Sequence, residues 1–237
     1  MKTEYQQTSK DWVGFNNTET IPNNDKIKQQ LENLSVVGLG LTGTLLSLSF
    51  ANNGHKVIVV DMDSRKVNCV NQNHSPIQDG EMESAMRKAR FSRHLIATGD
   101  LHNAILQTDV TLVCIGHGSI ETEALLSHSI HTICQQIGAS LAMKSKYHLV
   151  VIHSNLKPMA CENQVKPIIE RWSNKRCGLD FGLCYLPLRV SHKNQHSPTK
   201  LHNSIIHGAY DNKSAQLAIR LFATLDIGLK SVGLNPH

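Results

Sequence analysis

No run of apolar residues in this 237-residue sequence approaches the roughly 20 needed to span a bilayer. The amino terminus also lacks the charged, apolar and small-residue succession of a secretory signal. No membrane partner is therefore expected, and the cytoplasm is the expected compartment. The six cysteines, at 69, 114, 134, 161, 177 and 184, form no C-x-x-C pair and no zinc-ligand spacing. Several lie in apolar runs, as reduced, buried thiols do. The 14 histidines are spread along the chain with no H-E-x-x-H motif. No metal site is expected from them, and most are taken as surface positions. Aromatic residues make up only 5%, and the net charge of +5 is mild. Without aromatics interleaved among clustered basic residues there is no nucleic-acid stripe, so no nucleic-acid partner is expected. No internal repeat is visible.

What is present is concentrated in Leu34 to Asp61. A short apolar run, Leu34 to Val37, enters a turn with Gly38, Gly40 and Gly43 in G-x-G-x-x-G spacing. Leu41, Leu45, Leu48 and Phe50 then recur at helical intervals, and Asn53-Gly54 ends that helix. Lys56 to Val60 is a second strand of buried type, closed by Asp61. The three glycines differ in what they permit: a sharp turn at Gly38, close approach of a pyrophosphate at Gly40, and packing of helix on sheet at Gly43. The helix N-terminus at Leu41 and Thr42 offers free N–H groups to phosphate. Asp61 lies 18 residues after Gly43, where a carboxylate can accept the ribose hydroxyls. It would repel a 2′-phosphate, so NAD is expected rather than NADP. Arg65 and Lys66 nearby weaken that preference.

The remaining chain alternates strands and helices. Residues 1–33 are polar and read as a mobile tail, helical at most over 24–33. Ser64 is expected to cap a helix to Asn71, and Glu81 to Arg90 to form an exposed helix. Strands are expected over Leu95 to Thr98, Val110 to Ile115, His148 to Ile152, Asp180 to Cys184 and Ser204 to His207, with a further short one at Leu229 to Val232. Between them, Asp100 caps a helix over Leu101 to Gln107. Others run over Glu121 to Ile137, Pro158 to Trp172 and Asn212 to Leu225. Leu186 to Pro198 reads as loop. Asp180-Phe181-Gly182 has no companion kinase motif and carries no such meaning. Continuous apolar strands alternating with helices predict an α/β fold: a Rossmann-type, doubly wound, mainly parallel sheet with helices on both faces, over 34–237.

With these residues placed, the chain resembles the N-terminal NAD-binding domain of the UDP-glucose/GDP-mannose (nucleotide-sugar) dehydrogenase family, over roughly residues 34–227. Four segments carry the likeness: Val36 to Gly43 with Val60-Asp61 and Lys66-Val67; Asn73 to Glu83; Thr108 to Gly116; and Ser154 with Pro158, followed by Cys177 to Gly182. The GDP-mannose branch looks closer. The resemblance implies an enzyme that oxidises the C6 alcohol of a nucleotide sugar to a carboxylate in two NAD-dependent steps, with a cysteine thiolate capturing the aldehyde. It implies cofactor contacts at Gly38, Gly40, Leu41, Thr42, Gly43, Asp61, Lys66, Gly116, His117 and Asn155.

Departures from the family pattern accompany the likeness. His117-Gly118 stands where the family has Thr-Pro, Ser154-Asn155 where it has Ser-Thr, and Leu186 to Val190 where it has Asn-Pro-Glu-Phe-Leu. The family's glutamate is thus Leu188, which cannot transfer a proton. The Gly-Gly-x-Cys motif, the central helix with its lysine and the second nucleotide-binding domain have no counterpart among these residues. No catalytic residue is assigned, and Cys177 and Cys184 are read as structural. The chain is expected to be inactive alone, to meet a nucleotide sugar only if a partner chain completes the site, and to self-associate or bind another chain through an uncovered apolar face. A non-catalytic NAD-binding regulator and an interaction protein that keeps only the fold are the alternatives.

Overall fold

The computed structural model describes residues 32–115, 123–154, 156, 159–186 and 208–225. Seven strands form one sheet: β1 Asn33–Val37, β2 Lys56–Val60, β3 Leu95–Thr98, β4 Val110–Val113, β5 His148–Ile152, β6 Phe181–Tyr185 and β7 Gly208–Ala209. Their spatial order is β3-β2-β1-β4-β5-β6-β7. The first six pair in parallel and β7 runs antiparallel to β6. Consecutive strands step outward one way from β1 and the other way from β4, so the order reverses between these two. Such a switch point opens a crevice at the carboxyl ends of the strands.

The helices are α1 Leu41–Asn52, α2 Ser64–Asn71, α3 Gly80–Phe91, α4 Leu101–Gln107, α5 Glu123–Ala142, α6 Lys166–Ser173 and α7 Asn212–Ala223. They divide between two cores because strand side chains alternate across the sheet. Leu34, Val36, Leu112, Leu149 and Val151 point to the face covered by α1, α3 and α7, with Phe50, Met82, Met86 and Phe222. Val37, Val113, Val150 and Ile152 point to the other, with Ile105 of α4, Ile137 of α5 and Ile169 of α6. The two-faced, mainly parallel sheet expected from the sequence is the sheet observed.

Several local expectations are corrected. Asp63, not Ser64, caps α2, its carboxylate accepting from Arg65 N at 2.9 Å. The helix α3 is amphipathic rather than exposed: Met82, Met86 and Ala89 are buried, and Asp79 caps it. Gly208, which follows the strand expected over 204–207, itself lies in a strand with Ala209, and that strand is antiparallel to β6. Leu41, on the apolar repeat of α1, is 45% exposed at the helix start, while Leu46 is buried. The helix before β6 opens with a π-helical turn, Cys161–Val165, and becomes α-helical from Lys166. Three histidines, 55, 148 and 153, are buried rather than at the surface. The polar stretch 1–31 and the strands expected at 204–207 and 229–232 lie outside the described residues.

The free edge of β3 is closed by side chains. The Asn71 amide donates to Ala97 O at 2.9 Å and accepts from Ala97 N at 3.1 Å, while Arg90 donates to Leu95 O at 2.6 Å. These are backbone groups an added strand would need.

The candidate dinucleotide site at the carboxyl ends of the strands

The glycine turn follows β1 because nothing larger fits. Gly38 has φ +106°, and a Cβ there would sit 2.6 Å from Cys114 O at the end of β4. A Cβ on Gly43 would lie 1.8 Å from Gly38 O. Both glycines are therefore needed to fold the turn itself. Gly40 is different: a Cβ there meets nothing within 4 Å. Its side faces open space at the N-terminus of α1, where no side chain caps the helix. The first N–H groups of a helix have no intrahelical acceptor, so this end is a ready cradle for phosphate.

Asp61, just past β2, ties the turn in place. Its Oδ2 accepts from Leu39 N at 2.6 Å and its Oδ1 from Asp63 N at 2.8 Å. Lys66 Nζ lies 3.9 Å from Oδ2. Each carboxylate oxygen has a further lone pair, so two hydroxyls can still be accepted. Arg65 turns away, pairing with Asp63 at 2.9 Å. The structure thus brings Gly38, Gly40, Leu41, Thr42, Gly43, Asp61 and Lys66 together at the carboxyl ends of β1 and β2. Gly116, His117 and Asn155, like Leu188, lie outside the described residues.

On the far side of the switch point, Ser154 joins the ends of β4 and β5: its hydroxyl donates to Val113 O at 3.1 Å and accepts from Ile115 N at 3.0 Å. His153 N donates to Val113 O at 2.9 Å. His153 is 1% exposed, with Nδ1 2.7 Å from Leu186 O. A carbonyl only accepts, so Nδ1 carries the proton and Nε2 is a bare acceptor; it has no partner among the described residues. Burial holds the imidazole neutral, pushing its pKa down to about 4. His153 escaped the sequence reading because a histidine after a strand carries no spacing signal.

Cysteine chemistry is not offered by the five buried thiols. Cys114, Cys134, Cys161, Cys177 and Cys184 are buried and unpaired. Burial pushes each upward, Cys134 and Cys177 to about 12, so they stay protonated. Among the described residues no group of three His, Cys, Asp or Glu could hold a metal ion, and no helix is long and apolar enough to cross a membrane.

A family model for the NAD-binding domain of UDP-glucose/GDP-mannose dehydrogenases matches residues 32–226. The chain belongs to this family. GDP-mannose 6-dehydrogenase of Pseudomonas aeruginosa is 36% identical over 150 residues, covering 63% of this chain and 34% of the relative. UDP-glucose 6-dehydrogenase of Haloferax volcanii is 28% identical over 192 residues, covering 81% of this chain and 44% of the relative. The solved GDP-mannose dehydrogenase of Pseudomonas aeruginosa, a ternary complex, superposes with a TM-score of 0.74 at 30% identity, covering 85% of this chain and 47% of that one. The chain spans less than half the length of these relatives. NAD is the cofactor of the matched domain, and the open side of Gly40, the uncapped α1 and the spare lone pairs of Asp61 fit its pyrophosphate and ribose.

Proposed function

We propose that this chain is the cofactor half of a nucleotide-sugar dehydrogenase of the UDP-glucose/GDP-mannose type, one NAD-binding domain that starts at Glu32 and Asn33, which bond His55 and open β1, rather than at the expected residue 34. The observation that carries this is the glycine turn: two glycines that the fold cannot replace, and between them a third whose empty side serves only a ligand. In this reading the α1 N-terminus and the backbone of Gly40, Leu41, Thr42 and Gly43 hold the pyrophosphate. Asp61 orients the turn through Leu39 N, accepts the adenosine ribose hydroxyls and disfavours a 2′-phosphate, while Lys66 keeps the carboxylate in place. Gly116, His117 and Asn155 are assigned to the same site from the sequence. When bound, NAD takes up the hydride. The residue that captures the aldehyde would come from outside these 237 residues, and so would contacts to the sugar.

A second reading, a non-catalytic NAD-binding regulator, is favoured by Leu188 in the family's glutamate position and by the buried, protonated thiols. Activity that appears only when this chain is mixed with a full-length relative, and in neither alone, separates the two. Unpaired cysteines support a cytoplasmic setting. Association with itself or another chain would use exposed apolar side chains such as Met62, Phe91, Trp172 and Leu179 rather than strand addition at the closed β3 edge.

The test is a calorimetric titration with NAD, with Gly40→Val as control. NAD at about 100 times its dissociation constant should add roughly 2.7 kcal/mol of stability. Gly40→Val should keep the fold, since its side faces open space, and lose the cofactor. Absence of NAD binding by the unaltered chain would sink the proposal.

A further inference from the structure

We propose that His153 is a binding residue for the nicotinamide half of the dinucleotide, its Nε2 accepting a hydrogen bond from a donor on that half. The inference rests on the NAD-binding reading above and adds a residue that the glycine fingerprint does not reach.

Three observations converge on it. The first is the bare acceptor. Leu186 O fixes the tautomer by taking the Nδ1 proton, so Nε2 can only accept, and it does so from nothing among the described residues. Most buried polar atoms of folded proteins have partners, and an exception calls for a reason. The other two buried histidines are satisfied at both nitrogens. His55 accepts from Glu32 N and meets Thr224 Oγ1; His148 lies between Thr111 Oγ1 on one side and Lys144 Nζ and Thr108 O on the other. His153 alone of the three stands at the carboxyl end of a strand.

The second observation is its place. His153 follows β5 directly and, by strand alternation, shares the face of Leu149 and Val151, the face α1 covers. A dinucleotide held at the α1 N-terminus runs across the switch point from the β1 side toward β4 and β5. Its adenine half belongs with Asp61 after β2, so its other half comes to the β5 end. Thr44 Oγ1, one turn into α1 and buried, is a second polar atom without a partner among the described residues.

The third is backbone geometry in the same connection. Met159 has φ +64°, a conformation a side chain rarely takes, and is 40% exposed. The π-helical turn Cys161–Val165 follows at once. Left-handed non-glycine residues and single π turns collect at functional sites. The π turn also serves the core, where Cys161 and Val165 join Ile169 of α6, whereas the half-exposed Met159 does not.

The experiment compares NAD with ADP, which lacks the nicotinamide half, on the full chain and on His153→Phe. Phenylalanine keeps the ring volume and removes the acceptor; Leu186 O loses its donor in free and bound protein alike, so that loss cancels in binding. Calorimetry should give about tenfold weaker NAD binding, equivalent to about 1.4 kcal/mol, with ADP affinity unchanged. Equal losses for both ligands, or no loss for NAD, overturn the assignment. Should His153→Phe fail to fold, the unaltered protein gives the answer by nitrogen NMR. The His153 Nε2 resonance should shift toward the hydrogen-bonded value on adding NAD and not on adding ADP. An Nε2 signal already hydrogen-bonded without ligand, as with an ordered water, overturns it too. Binding of neither NAD nor ADP would instead defeat the cofactor reading itself.

Discussion

The strand β5 has a buried histidine at each end, and the two are treated in opposite ways. At its amino end, His148 sits in a network that crosses the sheet. Lys144 Nζ donates to Ile105 O at 3.0 Å and to Thr108 O, and lies 3.2 Å from His148 Nδ1. His148 Nε2 is 2.7 Å from Thr111 Oγ1, which is 2.7 Å from Ser35 Oγ, which in turn accepts from Thr108 at 3.1 Å. β1, β4 and β5 are joined there, and either His148 tautomer finds partners. At the carboxyl end, His153 is bonded at one nitrogen only. Networks closed on themselves rigidify a core; a buried acceptor without a partner, where strands present their ligands, calls for a donor from elsewhere. One end of the sheet is built for the fold and the other for a guest.

The sharpest way to break that division is Gly43→Ala, which attacks the carboxyl end through the fold. Its Cβ would lie 1.8 Å from Gly38 O and 3.0 Å from Gly38 C, backbone atoms that cannot swing aside, with Cys114 Cβ at 3.4 Å. We expect a loss of about 4 kcal/mol or more in urea unfolding, with NAD binding gone. An alanine variant of native stability would mean that the turn is free to re-form, and that its glycines are kept for the ligand alone.

Acid comes next. The folded-state pKa values of His148 and His153 are depressed from 6.5 to about 3 and about 4, burial being the larger cause in each. The unfolded chain therefore takes up protons near pH 6.5 that the folded chain refuses. Stability is unaffected above that pH and falls below it, by about 1.4 kcal/mol per pH unit for each histidine. His55 acts with the same sign, and the raised pKa of Glu32, also chiefly from burial, opposes it near its own titration. Between pH 6.5 and 5, His153→Phe should remove about one histidine's share of the slope. A slope left whole by that change would mean that His153 is already protonated in the folded state, and the contrast between the ends would lose its basis.

The first half of the site was legible in the sequence because its chemistry is written in spacing. Gly38, Gly40, Gly43 and Asp61 lie on one continuous β-α-β stretch, and the distance between them is set by one helix and one strand. Asp100 as a cap and β3 and β5 at their expected bounds were likewise local. Of the second half, Gly116, His117 and Asn155 came only from the resemblance and lie outside the described residues, and its described contacts were not legible, because their partners are far apart in sequence. Ser154 meets Val113 and Ile115, and His153 meets Leu186 O, contacts created by strand order rather than by any repeat. The buried histidines misled for the same reason: polarity suggests surface, and the partners that hold neutral imidazoles inside, Thr111 and Lys144 for His148 and Glu32 and Thr224 for His55, are brought together by the fold. The cap of α2 moved from Ser64 to Asp63 because two adjacent residues could each serve, and the carboxylate also engages Arg65.

The smallest expected effect falls at the amino end and tests whether the two ends are independent. Thr111→Val keeps the shape of the side chain and removes the hydroxyl that stands between Ser35 Oγ and His148 Nε2. Ser35 retains Thr108 as a donor and Val110 O, at 3.4 Å, as an acceptor, so the strand of hydrogen bonds is cut at one link rather than dissolved. His148 is then left with one nitrogen unpaired, the condition His153 already has. The cost of stranding a buried polar atom is about 1–3 kcal/mol, read as a lower denaturation midpoint with an unchanged slope. NAD affinity should stay as it was, because the cradle depends on Gly38, Gly43 and Asp61 and on none of these groups. A variant that loses stability and cofactor together would show that β1 and β4 carry the disturbance along their length to the glycine turn.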